Sequence, residues 1–207
     1  MLRFLRVLVA PFFWILYPLK IFHKERFRKK TKAVLVMNHL SGMDPIVVLK
    51  GLSIDVHFLA KKEIMNSGFK RRFFRRAHVI GVDRDNVSME SMKECLAVLK
   101  ADRTLGVYPE GTRNRENREL QPFKEGVALF ALMGRAPVVP VVVYRKIRMF
   151  RRTHLLVGEP FELTEFYGKK PDKEILLAAT ERIRAEMQKA LDELDAIMAA
   201  KGKKKKA

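Results

Sequence analysis

The chain has 207 residues, 48% hydrophobic and 31% charged, which excludes a disordered polymer and allows one domain with a sizeable core. Its 42 Lys and Arg against 23 Asp and Glu leave a net charge of +19, a surplus that points to a polyanionic partner, either nucleic acid or an anionic membrane surface. The single cysteine, Cys95, excludes an internal disulfide and a cysteine-based zinc site, and its helical surroundings make it core filler.

Residues 1–22 are apolar and aromatic but are interrupted by Arg3, Arg6, Pro11, Pro18 and Lys20. The part free of charged residues, Val7 to Leu19, contains two prolines and is shorter than the ~20 residues a spanning helix needs. No small-residue cleavage site follows; Ile21 to Lys32 is basic instead. The expectation is a helix lying in, or dipping into, one leaflet, with cations and rings at headgroup level; a buried N-terminal helix of the core and a single span are the alternatives. Residues 1–31 thus form a membrane-associating segment, 32–170 the core, and 171–207 an amphipathic helix with a lysine-rich tail.

Within the core, apolar runs predict strands over Val34–Met37, Val56–Ala60, His78–Val82, Thr104–Tyr108, Val138–Val143 and His154–Val157. Several are unbroken rather than alternating, as in strands covered on both faces. Helical spacing marks Pro45–Gly51, Ser88–Lys100, Glu125–Met133 and Lys173–Ala200. The alternation argues a single α/β domain with a mostly parallel, mixed sheet covered by helices. Phe69 to Arg76 interleaves rings and cations, a surface that suits lipid headgroups or single-stranded nucleic acid alike. The apolar N-terminus favours lipid.

Several strand ends carry chemistry. After the first strand comes Asn38-His39-Leu40-Ser41-Gly42-Met43-Asp44-Pro45. A carboxylate holding one ring nitrogen of His39 leaves the other free to take a proton from a hydroxyl. Asp44 before Pro45 is also good helix N-cap grammar. Val82-Asp83-Arg84 places at a strand end a cation fit for a solvated turn or for bidentate phosphate binding. In Tyr108-Pro109-Glu110-Gly111-Thr112-Arg113, Gly111 allows close backbone approach, Arg113 and Thr112 offer donors to a phosphate, and Glu110 is placed to orient the cations. Val138–Val143, with Pro140 inside it, reads by default as a core strand and otherwise as an edge or tunnel wall.

In this order, Asn38-His39-x4-Asp44, Val82-Asp83-Arg84, Tyr108-Pro109-Glu110-Gly111-Thr112-Arg113 and Val139-Pro140-Val141 resemble the glycerolipid acyltransferase family, closest to the bacterial 1-acylglycerol-3-phosphate acyltransferases. The resemblance runs from about Lys32 to Tyr144. It implies His39 as general base on the free hydroxyl of a lysophosphatidate-like membrane lipid, steered by Asp44. It implies a phosphate site of Arg84, Glu110, Gly111, Thr112 and Arg113, with Lys61 in Phe58-Leu59-Ala60-Lys61 as a further contact. The co-substrate would be acyl-CoA or acyl-carrier protein, with no cofactor or metal. The place of work would be the cytoplasmic face of the membrane, with no nucleic-acid partner. Gly81 and Ala77 depart from the family pattern, which leaves open another lysolipid, such as a lyso-ornithine lipid, or glycerol 3-phosphate as acceptor. The competing reading is a non-enzymatic basic module for membranes or nucleic acid.

Overall fold

A computed structural model describes residues 15–27, 31–83, 88–114 and 119–204. Seven strands form one sheet: β1 (Leu19–Phe22), β2 (Ala33–Met37), β3 (Val56–Lys61), β4 (Val79–Val82), β5 (Thr104–Val107), β6 (Val138–Val143) and β7 (Thr153–Val157), in the order β1-β7-β6-β2-β5-β3-β4. β2 to β6 are mutually parallel; β7 runs antiparallel to β6, and β1 pairs parallel with β7. The helices are α1 (Asp44–Leu52), α2 (Gly68–Arg76), α3 (Met89–Lys100), α4 (Gly126–Gly134) and α5 (Lys173–Lys204).

The unbroken apolar strands are explained by helices on both faces. Along β2, Val34 and Val36 join one core, with Leu99 of α3, Ala128 of α4 and Ile183, Met187 and Leu194 of α5. Ala33, Leu35 and Met37 point the other way, into a core with Val47, Val48 and Leu52 of α1. The period of two along the strand feeds both layers. Cys95 is fully buried in the first core, and burial pushes its thiol up to about 12. α3 is capped as its sequence suggests, by Ser88 Oγ accepting from the Ser91 amide at 3.2 Å.

Pro140 sits inside the sheet, not on an edge, because β6 lies between β7 and β2. Its carbonyl accepts from the Gly158 amide at 2.8 Å, so its missing N–H faces the same way, where β7 ends, and no bond to β2 is lost.

One expectation changes. The N-terminal apolar segment is not helical throughout. Leu19–Phe22 is an edge strand, with Ile21 in register with Leu155. It packs so tightly on α1 that a Cβ on Gly51 would stand 2.5 Å from Leu19 Cδ2. The rest of that expectation, residues 1–14, lies outside the described residues. The Phe69–Arg76 surface is itself a helix, α2, capped by Ser67 Oγ accepting from the Lys70 amide at 3.3 Å. Phe74 is half-buried while Phe69 and Phe73 stay exposed. Among the described residues no helix is long and apolar enough to cross a membrane.

Candidate active site

Because β2 to β6 are parallel, their carboxyl ends share one edge of the sheet, the edge where open α/β sheets bind ligands. His39 follows β2 there, Tyr108 to Asn114 follow β5, and Lys61 ends β3.

His39 Nδ1 lies 3.0 Å from Asp44 Oδ2. That same oxygen accepts from the Leu40 amide at 2.8 Å and the Ser41 amide at 2.7 Å. Asp44 is therefore not the N-cap of α1: its carboxylate reaches back into the loop rather than forward into the helix, and its own amide donates to Ser41 O at 3.1 Å. Three donors on one oxygen fix the carboxylate, and the carboxylate fixes the imidazole. Asp44 is fully buried, whereas 11% of the His39 side chain stays accessible. With Nδ1 turned to Asp44, Nε2 is the nitrogen left for a substrate.

The turn after β5 supports this loop from below. Glu110 is buried and accepts from the His39 amide at 3.0 Å and, more weakly, from the Gln121 amide at 3.5 Å. Burial raises its carboxyl above the usual carboxylate range, against the pull of those backbone donors. Among the described residues its carboxylate accepts from these two backbone amides; Arg115 and Arg118, cations of the same turn, lie outside them. Asn114 returns a backbone bond to His39 O at 2.8 Å. Gly111 takes φ +69°, the left-handed region open to glycine, and a Cβ there would stand 3.0 Å from Lys124 Cε.

Glu110→Ala would leave the His39 amide without its acceptor, an orphaned donor costing ~1–3 kcal/mol. The expected result is a lower melting temperature and a reduced kcat with KM little changed, measured by thermal unfolding and steady-state kinetics. An unchanged kcat in a normally folded variant would remove this supporting role.

Arg113 is exposed, and its guanidinium Nη1 comes within 3.6 Å of where a Cβ on Gly42 would stand. A cation thus lies against the loop that carries the imidazole. Thr112 is exposed beside it, its hydroxyl turned to Arg113 O at 3.4 Å. Lys61 stands at the same sheet edge but two strands from β2, paired with Glu63 at 3.0 Å. Arg84 lies outside the described residues. A shallow cleft lined by Arg71, Arg72, Arg75 and Arg76 belongs to α2, not to the imidazole.

Sequence reasoning missed two further parts. The Tyr108 ring lies 4.2 Å from the His39 ring, centroid to centroid, and walls one side of it. Its hydroxyl is buried with no hydrogen-bond partner among the described residues, as is Asp44 Oδ1. Burial, then the Asp44 charge, pushes that phenol well above its ordinary value, so it stays a neutral wall. Asn38 bridges to β6, donating to Val143 O at 3.1 Å and accepting from the Val143 amide at 2.8 Å. Its place directly before His39 was the only available hint.

The model of the family described as Acyltransferase matches residues 19–144, more than half of the chain and all of the site just described. This chain belongs to the acyltransferase family. The enzyme is 30% identical over 186 residues to a 1-acyl-sn-glycerol-3-phosphate acyltransferase of Bacillus subtilis (strain 168), covering 85% of this chain and 89% of that one. It is 35% identical over 129 residues to the protein of the same name from Limnanthes douglasii, covering 61% of this chain and 45% of that relative. The crystal structure of the 1-acyl-sn-glycerophosphate (LPA) acyltransferase PlsC from Thermotoga maritima shares the fold, with a TM-score of 0.67 at 23% identity over 90% of this chain and 76% of that one. The transferase and its place in phospholipid biosynthesis stand on these findings together.

Proposed function

We propose that this acyltransferase moves a fatty acyl group from a thioester, acyl-CoA or acyl-carrier protein, to the free hydroxyl of lysophosphatidate, giving phosphatidate. One observation carries the reading: the Nδ1–Asp44 bond at 3.0 Å aims a single basic nitrogen outward, with Arg113 against the same loop. A base alone would serve any alcohol; a base beside a guanidinium suits an alcohol that carries a phosphate. The names of the Bacillus subtilis and Limnanthes douglasii relatives point to the same acceptor.

In this mechanism His39 Nε2 takes the hydroxyl proton as the oxygen attacks the thioester carbonyl. The tetrahedral intermediate expels the thiolate, which receives the proton back from the imidazolium. Asp44 stabilises the imidazolium while it lasts and holds the tautomer that exposes Nε2. Arg113, with Thr112 and Lys61, binds the acceptor phosphate; Arg84 belongs to that set on sequence grounds. The working surface is the cytoplasmic leaflet, where acyl thioesters are supplied and basic segments are retained.

The test is purified protein with both thioester donors and a panel of lysophosphatidate, glycerol 3-phosphate and lyso-ornithine lipid, with products weighed by mass spectrometry. Phosphatidate as the dominant product is expected. Acylation of another acceptor alone would reassign the substrate. Arg113→Ala is expected to raise KM for lysophosphatidate about 10- to 100-fold, the worth of one charge-assisted hydrogen bond. It should leave turnover of monoacylglycerol, which lacks the phosphate, as it was. Equal losses on both acceptors would remove the role.

A further inference from the structure

β6 leaves the sheet at the same edge as His39 and returns through residues 144–152 into β7. This turn is fixed at several points. The Tyr144 amide donates to His154 O at 3.0 Å, and the Phe150 amide donates to Leu16 O at 2.7 Å. Ile147 is buried in the core between them. Phe150 takes φ +57°, a left-handed conformation that bulky residues rarely adopt.

All this order buries neither of the two residues at the tip. Met149 is 51% exposed and Phe150 72%. Ile15, 69% exposed, sits one position before the Leu16 that holds Phe150. Around the tip stand Arg145, Lys146, Arg148, Arg151 and Arg152, and no acidic residue occurs from Ala136 through Gly158. A backbone held in an unfavourable conformation to keep a methionine and a phenylalanine in water needs an apolar phase to receive them. A ring of cations needs anions at the same depth. The headgroup boundary of an anionic leaflet supplies both within a few ångströms. An acidic carrier protein would match the cations but leave the protruding side chains without a reason.

We propose that the 144–152 turn is a membrane wedge: Met149 and Phe150 enter the leaflet while the five surrounding cations meet lipid phosphates. The root of the wedge is clamped to the catalytic loop, since Val143 exchanges both of its backbone bonds with the side chain of Asn38, directly before His39. Docking the tip therefore presents the imidazole edge to a lipid-borne acceptor. Only this last step rests on the function proposed above.

The experiment is co-sedimentation of the full chain with vesicles of phosphatidylcholine, with and without phosphatidylglycerol. Met149→Ser/Phe150→Ser is expected to weaken binding to the anionic vesicles by about 10- to 100-fold, from the apolar area withdrawn from lipid. Arg148→Gln/Arg151→Gln is expected to weaken it by roughly fivefold per cation, with the effect fading as salt rises. Both variants should melt as the parent does and acylate a short-chain, fully dispersed lysophosphatidate at the parent's rate, while losing turnover on vesicle-borne acceptor. Vesicle binding within twofold of the parent in both variants overturns the wedge. So does unchanged vesicle binding with a loss confined to turnover driven by acyl-carrier protein, which would make the turn a carrier-protein dock. If the parent acylates no acceptor yet the vesicle results hold, the wedge stands and the proposed reaction falls.

Discussion

Replacing His39 by alanine is expected to lower acyl transfer by roughly 100- to 10,000-fold, the usual worth of a positioned general base. The expected loss is in kcat. Under the proposed function acceptor affinity rests on cations such as Arg113, which the substitution does not touch. Stability should change little, because among the described residues the ring bonds only through Nδ1 and stacks only on Tyr108, while the backbone bonds of His39 to Glu110 and Asn114 survive the change. The check is single-turnover acyl transfer from radiolabelled acyl-CoA, beside a thermal melt. Wild-type turnover in the folded variant would end the mechanism.

Asp44 is the position where activity and folding separate. Asp44→Ala strips the acceptor from His39 Nδ1 and from the Leu40 and Ser41 amides at once, in a site with no exposure. Partial relaxation of the loop limits the damage to about 3–5 kcal/mol, still a large share of the ~5–15 kcal/mol by which domains are stable. Asp44→Asn is different. Its amide oxygen can take the place of Oδ2 and accept all three bonds, so the loop and the imidazole tautomer are kept and only the negative charge goes. Its NH2 then takes the place of Oδ1, buried without a partner among the described residues, so this variant is expected to lose about 1–3 kcal/mol, less than Asp44→Ala, and to lose turnover by up to roughly 10,000-fold, because the carboxylate that steers the imidazole and stabilises the imidazolium is gone. Urea unfolding and steady-state kinetics on the two variants make the test. If Asn and Ala fall equally in rate and equally in stability, Asp44 is a structural brace and not a partner of the base.

The sheet was largely legible because its strands are unusual. Runs such as Val34 to Met37 and Val138 to Val143 have no polar face, and only a strand between two helix layers buries both sides. β1 was not legible. Leu19–Phe22 continues an apolar run that reads as a membrane-lying helix, and it becomes a strand because β7 offers a free edge in register and Gly51 lets α1 close over it. α2 escaped notice for a related reason. Its cations and rings declare a surface, and the helix starts at the Ser67 cap, a local signal those residues overshadow.

At the site, the chain's own order determined the proposed reacting pair. His39 and Asp44 are five residues apart, close enough for one loop to join them whatever the rest of the fold does, and that spacing is visible without coordinates. What only the tertiary structure decided is everything that acts on the pair from elsewhere. Glu110, 71 residues away, holds the His39 amide, and Val143, 105 residues from Asn38, clamps the wedge to the loop. Groups that distant meet only because parallel β2, β5 and β6 end at one edge of the sheet. A local pattern names residue types but carries no record of which strand becomes whose neighbour.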